Sequence, residues 1–392
     1  MTTTKKTRTI PATIYEQVHE SARTALYFGF IPEKIKSTED DIRHAKALDK
    51  KEEHEIEAEL APIDFKTEDK VTLIRIANER GAQGGQPLMT YRESETRNQL
   101  FIHLDIIGNS KAVSEALIIG AARSILNDAG IDTTVVVNCI GDKDSTQRFT
   151  KALTEYYRLH LNTLPPECRQ LIKKDVFSVT LCARDSCAVI AEESPRSMNF
   201  LSEPSRVHFK EVLEYMDLSN IPYIIDDTLL PGKSYASHTV FKLIESTTNK
   251  NPTVYAYGAR YNTLSKRIGG KRELGAVGIT IAINKKEIGE IKKKIKIPAS
   301  PFFFIHVGTE ARLRSIGILE LLRQEKLPLE HSIIKDKLSG QLAQAEERRA
   351  PYVLLMGQRE CIDESVIIRN TENRSQKSVK IADLPQTLKK LL

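Results

Sequence analysis

Three cysteines, Cys168, Cys182 and Cys187, have the plainest chemical potential in this 392-residue chain, because thiolate sulfur is a strong zinc ligand. His208 would complete a set of four. The spacing is not that of a C-x-x-C knuckle, so they are expected to be structural thiols, with no metal. Two glycine runs invite a phosphate. Gly81-Ala82-Gln83-Gly84-Gly85 lacks the Lys-Ser/Thr of a P-loop and opens no obvious helix, which makes it a mobile loop. Gly269-Gly270-Lys271-Arg272 reads the same way. His238 stands alone at a strand start, where a histidine is usually held by structural hydrogen bonds. Charge is more suggestive. Lys285 to Lys296 carries six lysines against two glutamates, and Lys335, Lys337, Arg348 and Arg349 fall on or beside a predicted helix, with Arg359 and Lys377 beyond. Such cations can draw phosphates through counterion release, although a solvated helix face needs no ligand.

The elements that must position these residues are legible in the pattern. The length suits two or three domains, and 40% apolar with 28% charged residues describes an ordinary soluble chain. No apolar run is long enough for a membrane span. Met1 to Ile10 is Thr- and Lys-rich without an apolar core, which argues for the cytoplasm. Five cysteines read as reduced thiols. Formal charge is +6, but Lys36 to Asp69 holds six basic and twelve acidic residues.

Ile14, Val18, Ala22, Ala25 and Leu26 repeat at helical spacing within 11–34. A charged helix is expected over 37–60, capped at Ser37-Thr38. Leu100–Ile107 is a strand and Ala112–Ala129 a helix stopped by Gly130. Thr133–Ile140 is a buried strand, and Lys143–Leu161 a helix. A helical insertion covers about 150–220. Strands follow at Tyr223–Ile225, His238–Ile244, Thr253–Tyr257 and Ala276–Ile283, with so few helices between them that an antiparallel sheet is expected. A charged connector over 285–300 divides a core, 1–297, from a small α/β unit, 298–392. In the latter Phe302–Val307, Tyr352–Met356, Val366–Arg369 and Val379–Ile381 are strands, with helices over Thr309–Gln324, Ser332–Arg348 and Asp383–Leu392. The class is α+β.

Two segments carry a likeness to a known family. Ile225-Asp226-Asp227-Thr228-Leu229-Leu230-Pro231-Gly232-Lys233-Ser234-Tyr235-Ala236-Ser237-His238-Thr239-Val240-Phe241 and Tyr257-Gly258-Ala259-Arg260-Tyr261-Asn262-Thr263-Leu264 resemble the signatures L-V-R-G-L-D-Y-Y-T-R-T-V-F-E and G-G-R-Y-D-G-L of histidyl-tRNA synthetase. Leu104-Asp105-Ile106-Ile107-Gly108 is similar to its D-I-I-G strand end, and Asn138-Cys139-Ile140-Gly141-Asp142-Lys143 to its N-x-I-G-D-K turn. The three cysteines fall where bacterial members often carry them, with Pro165 in the place of a fourth. Gln341, Ala345 and Tyr352-Val353-Leu354-Leu355-Met356-Gly357-Gln358-Arg359-Glu360 look like its anticodon-binding domain. The likeness runs over about 350 residues and implies a class II synthetase core with an anticodon-binding-like α/β domain.

It also implies a site with its contacts changed. Pro231 stands where the family has its catalytic arginine. The motif-2 arginine and glutamate fall at Thr90 and Arg92. The motif-3 arginine falls at Lys285, and the glycine that leaves room for adenine at Ala282. The histidine-pocket glutamine falls at Phe101 and a neighbouring acid at Asp105. Tyr235 is kept beside Ala236, and Arg260 and Tyr261 are kept. The P-E-x-T-x-x-x-x-R segment keeps Glu68 and Arg75. No motif-1 proline is visible near Ser37-Thr38, although the family resemblance makes a homodimer an option.

Adenylate formation needs fixed cations around the phosphates. The resemblance therefore implies a catalytically degenerate paralogue with a remnant ligand pocket of Glu68, Arg75, Arg92, Arg97, Asp105, Tyr235, Arg260, Tyr261 and Lys285. Its use would be binding tRNA or another structured RNA through Lys335, Lys337, Arg348, Arg349 and Arg359, or a regulatory role. One alternative is an active histidine–tRNA ligase using ATP with magnesium, with Arg92, Arg97, Arg260 and Lys285 as phosphate cations. Another is a regulatory-type subunit of ATP phosphoribosyltransferase, which also reuses a synthetase core.

Overall fold

The computed structural model describes residues 13–50, 66–81, 86–182, 184–247, 249, 251–287, 292–297 and 299–392. The expected 82–85 loop, the second half of the 37–60 helix and the first ten residues lie outside them. Contacts divide the chain into two units, 33–288 and 1–32 with 289–392. The division falls near 288 rather than 297, and the first residues group with the last. The reason is a strand pair. Thr13–Val18 runs antiparallel to Lys293–Ile297, with Tyr15 opposite Ile295. That pairing overrides the helical spacing expected at Ile14 and Val18; only Ser21–Tyr27 is helical. It also turns part of the charged 285–300 connector into a strand.

The larger unit is built on a sheet. Seven of its strands run in the order Leu88–Glu95, Gln99–Ile107, Ala276–Asn284, Val254–Arg260, Ser237–Glu245, Thr133–Gly141 and Tyr223–Ile225. Every neighbouring pair among them is antiparallel except the last, Thr133–Gly141 with Tyr223–Ile225, which is parallel. Leu88–Glu95 had no sequence expectation, since its alternation is weak and it begins beside a glycine run. The central strands Gln99–Ile107 and Ala276–Asn284 are buried along almost their whole length, which is why they read as continuous apolar runs. Helix Val113–Asp128 packs on them, burying Leu117, Ile118, Ile119, Ile125 and Leu126. Each such side chain contributes about 1.5–3 kcal/mol.

Helices Glu39–Asp49 and Thr67–Glu79 pack on each other, the first closed by a capping box between Thr38 and Asp41. The insertion is helical as expected, in short pieces from Pro166 to Glu192 and a long helix Glu203–Leu218.

In the smaller unit a five-stranded mixed sheet runs Glu330–His331, Phe302–His306, Tyr352–Met356, Ser365–Asn370 and Gln376–Lys380. Phe302–His306 and Tyr352–Met356 are parallel. Helix Thr309–Gln324 matches its expectation. The expected helix Ser332–Arg348 is only Leu338–Glu347. Among the described residues no helix is long and apolar enough to cross a membrane.

Candidate functional site

Registration of three strands puts the site on one face of the sheet. Thr90 lies opposite Asp105 and Arg92 opposite His103. Asp105 lies opposite Gly278, His103 opposite Thr280 and Phe101 opposite Ala282. Side chains two apart share a face, so Thr90, Arg92, Phe101, His103, Asp105 and Ala282 project together.

At one end of this face is a buried ionic cluster. Asp105 is fully buried. Lys70 of helix Thr67–Glu79 reaches its Oδ1 at 2.5 Å, and Tyr261 donates to the same oxygen at 2.8 Å. Arg92 lies 3.4 Å from Oδ2 and 2.7 Å from Asp69. The Lys70 ammonium also stands 5.5 Å from the centre of the Tyr261 ring. Two cations face two carboxylates, so the cluster is neutral. Burial lowers the pKa of Lys70 against the opposing pull of Asp105. Burial, then the Asp105 charge, raises that of Tyr261 well above its usual value. The packing leaves no slack, because a Cβ on Gly278 would run into Asp105 Oδ1 and Lys70 Nζ.

Further along the face the chemistry is apolar. Phe101 and Ala282 pack with Val254 and Tyr257, and the Tyr257 hydroxyl donates to Leu230 O at 2.8 Å. His103 sits between these regions, held by Thr280 at 3.0 Å and Ser94 at 2.9 Å. Burial, with Arg92 and Lys70 nearby, holds it well below the usual imidazole pKa.

The remaining pocket residues are dispersed. Arg260 is fully buried. It donates to Glu115 Oε1 at 2.6 Å, pairs with Oε2, and also bonds Asn109 O, Lys111 O and Asn262. Its fork is engaged by a carboxylate inside the protein. Arg75 is spent on Asp41 at 3.0 Å and Glu79 at 2.9 Å. Arg97 is exposed at the hairpin tip between Leu88–Glu95 and Gln99–Ile107. Lys285 pairs with Glu95 at 2.8 Å near the same tip. Glu68 is half-buried at the start of the helix that carries Lys70. Tyr235 is buried in one apolar cluster with Tyr261. The structure thus unites Asp105, Arg92, Tyr261 and Tyr235, and separates Arg75, Arg97, Arg260 and Lys285 from them.

Sequence reasoning missed Lys70 and Glu115. A signal for Lys70 existed, because it replaces the threonine of the P-E-x-T pattern. Glu115 lies in an apolar helix with nothing to mark it. Burial would raise the Glu115 carboxyl, and the Arg260 and His208 charges outweigh that, taking it down to about 2. His208 binds Glu115 at 2.6 Å, so it is no fourth ligand for the cysteines. His238 lies beside His208, with ring centroids 5.4 Å apart. Burial, then Arg260 and His208, pushes its pKa down to about 4. It sits at a register shift with φ of 55°, a left-handed conformation that histidine tolerates better than most residues.

In the smaller unit the proposed RNA cations do not form one patch. Lys335 and Lys337 precede helix Leu338–Glu347 instead of lying on it, and this helix meets the end of Phe302–His306 through Gln341 and His306. Arg359, 89% exposed, follows the end of the neighbouring parallel strand. Arg348 and Arg349 sit at the other end of the helix, about 15 Å along its axis, where Arg348 pairs with Glu330 at 3.1 Å. A cavity of about 450 Å³ lies just beyond the ends of strands Phe302–His306 and Tyr352–Met356, lined by Gly308, Thr309, Glu310, Arg314, Gln358 and Ile362 among others. Carboxyl ends of parallel strands are common ligand positions.

Known proteins resemble the chain in sequence and in fold. A family model described as an anticodon binding domain matches residues 303–391. A histidine–tRNA ligase from Halothermothrix orenii is 25% identical over 293 residues, 74% of this chain and 70% of that protein. One from Staphylococcus carnosus is 26% identical over 341 residues, 82% of this chain and 79% of that protein. The crystal structure of apo S. aureus histidyl-tRNA synthetase superposes with a TM-score of 0.52 at 20% identity, covering 94% of this chain and 93% of that one. The fold is therefore an antiparallel synthetase-type sheet flanked by helices, with a C-terminal anticodon-binding domain.

Proposed function

The chain belongs to the histidyl-tRNA synthetase family, and from that premise we propose that its amino-acid activation site has been converted into structure, leaving an RNA-binding or regulatory module. The observation that carries this reading is the 2.5 Å contact between Lys70 and Asp105. A primary ammonium of the chain itself occupies the carboxylate that would otherwise be offered to a ligand's amine. Tyr261 and Arg92 fill the rest of the Asp105 coordination. Beside it, Phe101 and Ala282 place hydrocarbon where the family resemblance implies a glutamine and a glycine. Neither can donate or accept a side-chain hydrogen bond.

The cations are spent as well. Arg260 and Arg92 are directed at carboxylates, and Lys285 is held by Glu95. An adenylate transition state is stabilised by preorganised donors, and loss of one costs about 2.7–4 kcal/mol. Pro231, at the place of the family's arginine, supplies no donor.

The RNA part rests on the anticodon-binding match and on Lys335 and Lys337, which precede helix Leu338–Glu347, and Arg359, which follows strand Tyr352–Met356. Single-stranded loops offer phosphates to such cations and bases to neighbouring side chains. Titration of labelled tRNA against the purified chain at two salt concentrations tests it. We expect saturable binding that weakens with salt. An absence of saturable binding near physiological salt contradicts the RNA role.

The ligase alternative draws on one observation, that Asp105, Arg92, Tyr261 and Tyr235 remain together. In that reading Lys70 swings away on binding, and ATP with magnesium is the cofactor.

A further inference from the structure

The strongest unassigned cluster lies in the helical insertion. Cys168 is on helix Pro166–Leu171, Cys182 follows helix Val176–Thr180, and Cys187 is on helix Asp185–Glu192. Their sulfurs converge from three separate elements. Cys168 lies 3.8 Å from Cys182 and 3.5 Å from Cys187, and all three sulfurs fall within 4.8 Å of one another. Ligand bonds of about 2.3 Å at tetrahedral angles separate two sulfurs by roughly 3.8 Å. The two shortest separations, 3.5 and 3.8 Å, lie close to that spacing. All three side chains are buried.

The surroundings give the cluster a structural purpose. The helices that carry it are six, five and eight residues long. Helices this short do not hold themselves together, and small units often rely on a staple. The thiols sit inside a buried apolar cluster that joins these short helices to helix Lys143–Leu159 through Phe149, Leu153 and Tyr157.

We propose that Cys168, Cys182 and Cys187 form a trithiolate site for a thiophilic divalent cation, zinc by its coordination preference, which clamps the short helices of the insertion. Binding converts three S–H groups to thiolates, forms three S–metal bonds and releases three protons to solvent. No described histidine or carboxylate joins the set; the fourth ligand is a solvent molecule or a small exogenous donor. Because binding releases protons, occupancy falls with acid. The proposal is independent of whether the synthetase-like site is active.

The test uses the full chain, kept reduced and purified without chelator. Elemental analysis should find close to one zinc per chain, and expression in cobalt-supplemented medium should give the intense visible bands of tetrahedral thiolate-bound Co2+. Cys187→Ser and Cys168→Ser should each lose most of the metal. A Cys361→Ser control, at a cysteine outside the cluster, should retain it. If a cluster variant fails to fold, the unmodified cobalt-grown protein still decides the matter. A reduced, folded chain that carries under a tenth of an equivalent of metal and shows no cobalt bands overturns the proposal and leaves three packed thiols.

Discussion

The two sets of candidate cations, one in each unit, use positive charge in opposite ways. In the larger unit Lys70, Arg92 and Arg260 are buried and turned toward Asp105, Asp69 and Glu115. In the smaller unit Lys337, Arg349 and Arg359 are exposed at the surface. The contrast shows that a cation's identity says little about its use until its partner is known. A buried guanidinium paired by both nitrogens is unavailable to a phosphate, whereas an exposed one is both available and cheap to replace.

The first way to break the contrast is to remove buried charge. Arg260→Ala should destabilise the chain by about 3–5 kcal/mol, because it strands the Glu115 carboxylate without its main partner. Urea unfolding reads this directly, and a loss below about 1 kcal/mol would mean that Arg260 is not committed as described. Lys70→Ala should cost a comparable amount, leaving Asp105 with Arg92 and Tyr261 alone. It should also open a space for a small ammonium ion. Ethylammonium should then raise the melting temperature of the variant more than that of the unmodified chain, and equal responses would argue against a lysine-filled site.

Acid should act next. His238 and His331 are held down to about 4, each chiefly by burial. Both are neutral in the folded state and take up protons near 6.5 when unfolded. The unfolded state therefore binds more protons between these values. Stability is full above about pH 6.5 and declines as pH falls toward 4. Glu115 adds a later loss, below about 4.5 and toward 2. Melting curves across this range check the sequence of events, and a flat profile from pH 7 to 4 would contradict it.

The smallest effects belong to the exposed set. Lys337→Ala and Arg359→Ala should change stability by less than about 0.5 kcal/mol. Each should reduce the dependence of log Kd on log salt for tRNA by about 0.7 if it meets a phosphate of a single-stranded loop. Unchanged salt slopes in both would move the RNA surface elsewhere.

Much of the fold was legible because it rests on strong periodicity. Strands Gln99–Ile107 and Ala276–Asn284 and helix Val113–Asp128 announce themselves by apolar runs or helical spacing. Thr13–Val18 was misread because its partner, Lys293–Ile297, is some 280 residues away, and local spacing cannot see a distant strand. Lys335 and Lys337 were placed on a helix that begins only at Leu338. The site was half legible. Family likeness pointed to Asp105, Arg92 and Tyr261, but partners decide function, and the decisive partners Lys70 and Glu115 come from elements remote in sequence. The meeting of three cysteines was likewise invisible in their spacing.

The most direct test of the central claim is histidine-dependent ATP–pyrophosphate exchange by the purified chain. With Asp105 held by Lys70, and Phe101 and Ala282 packed across the neighbouring strands, we expect no exchange above a reaction without protein. Robust exchange that requires histidine, and that disappears in Arg92→Ala, would show a working adenylate site and contradict this account.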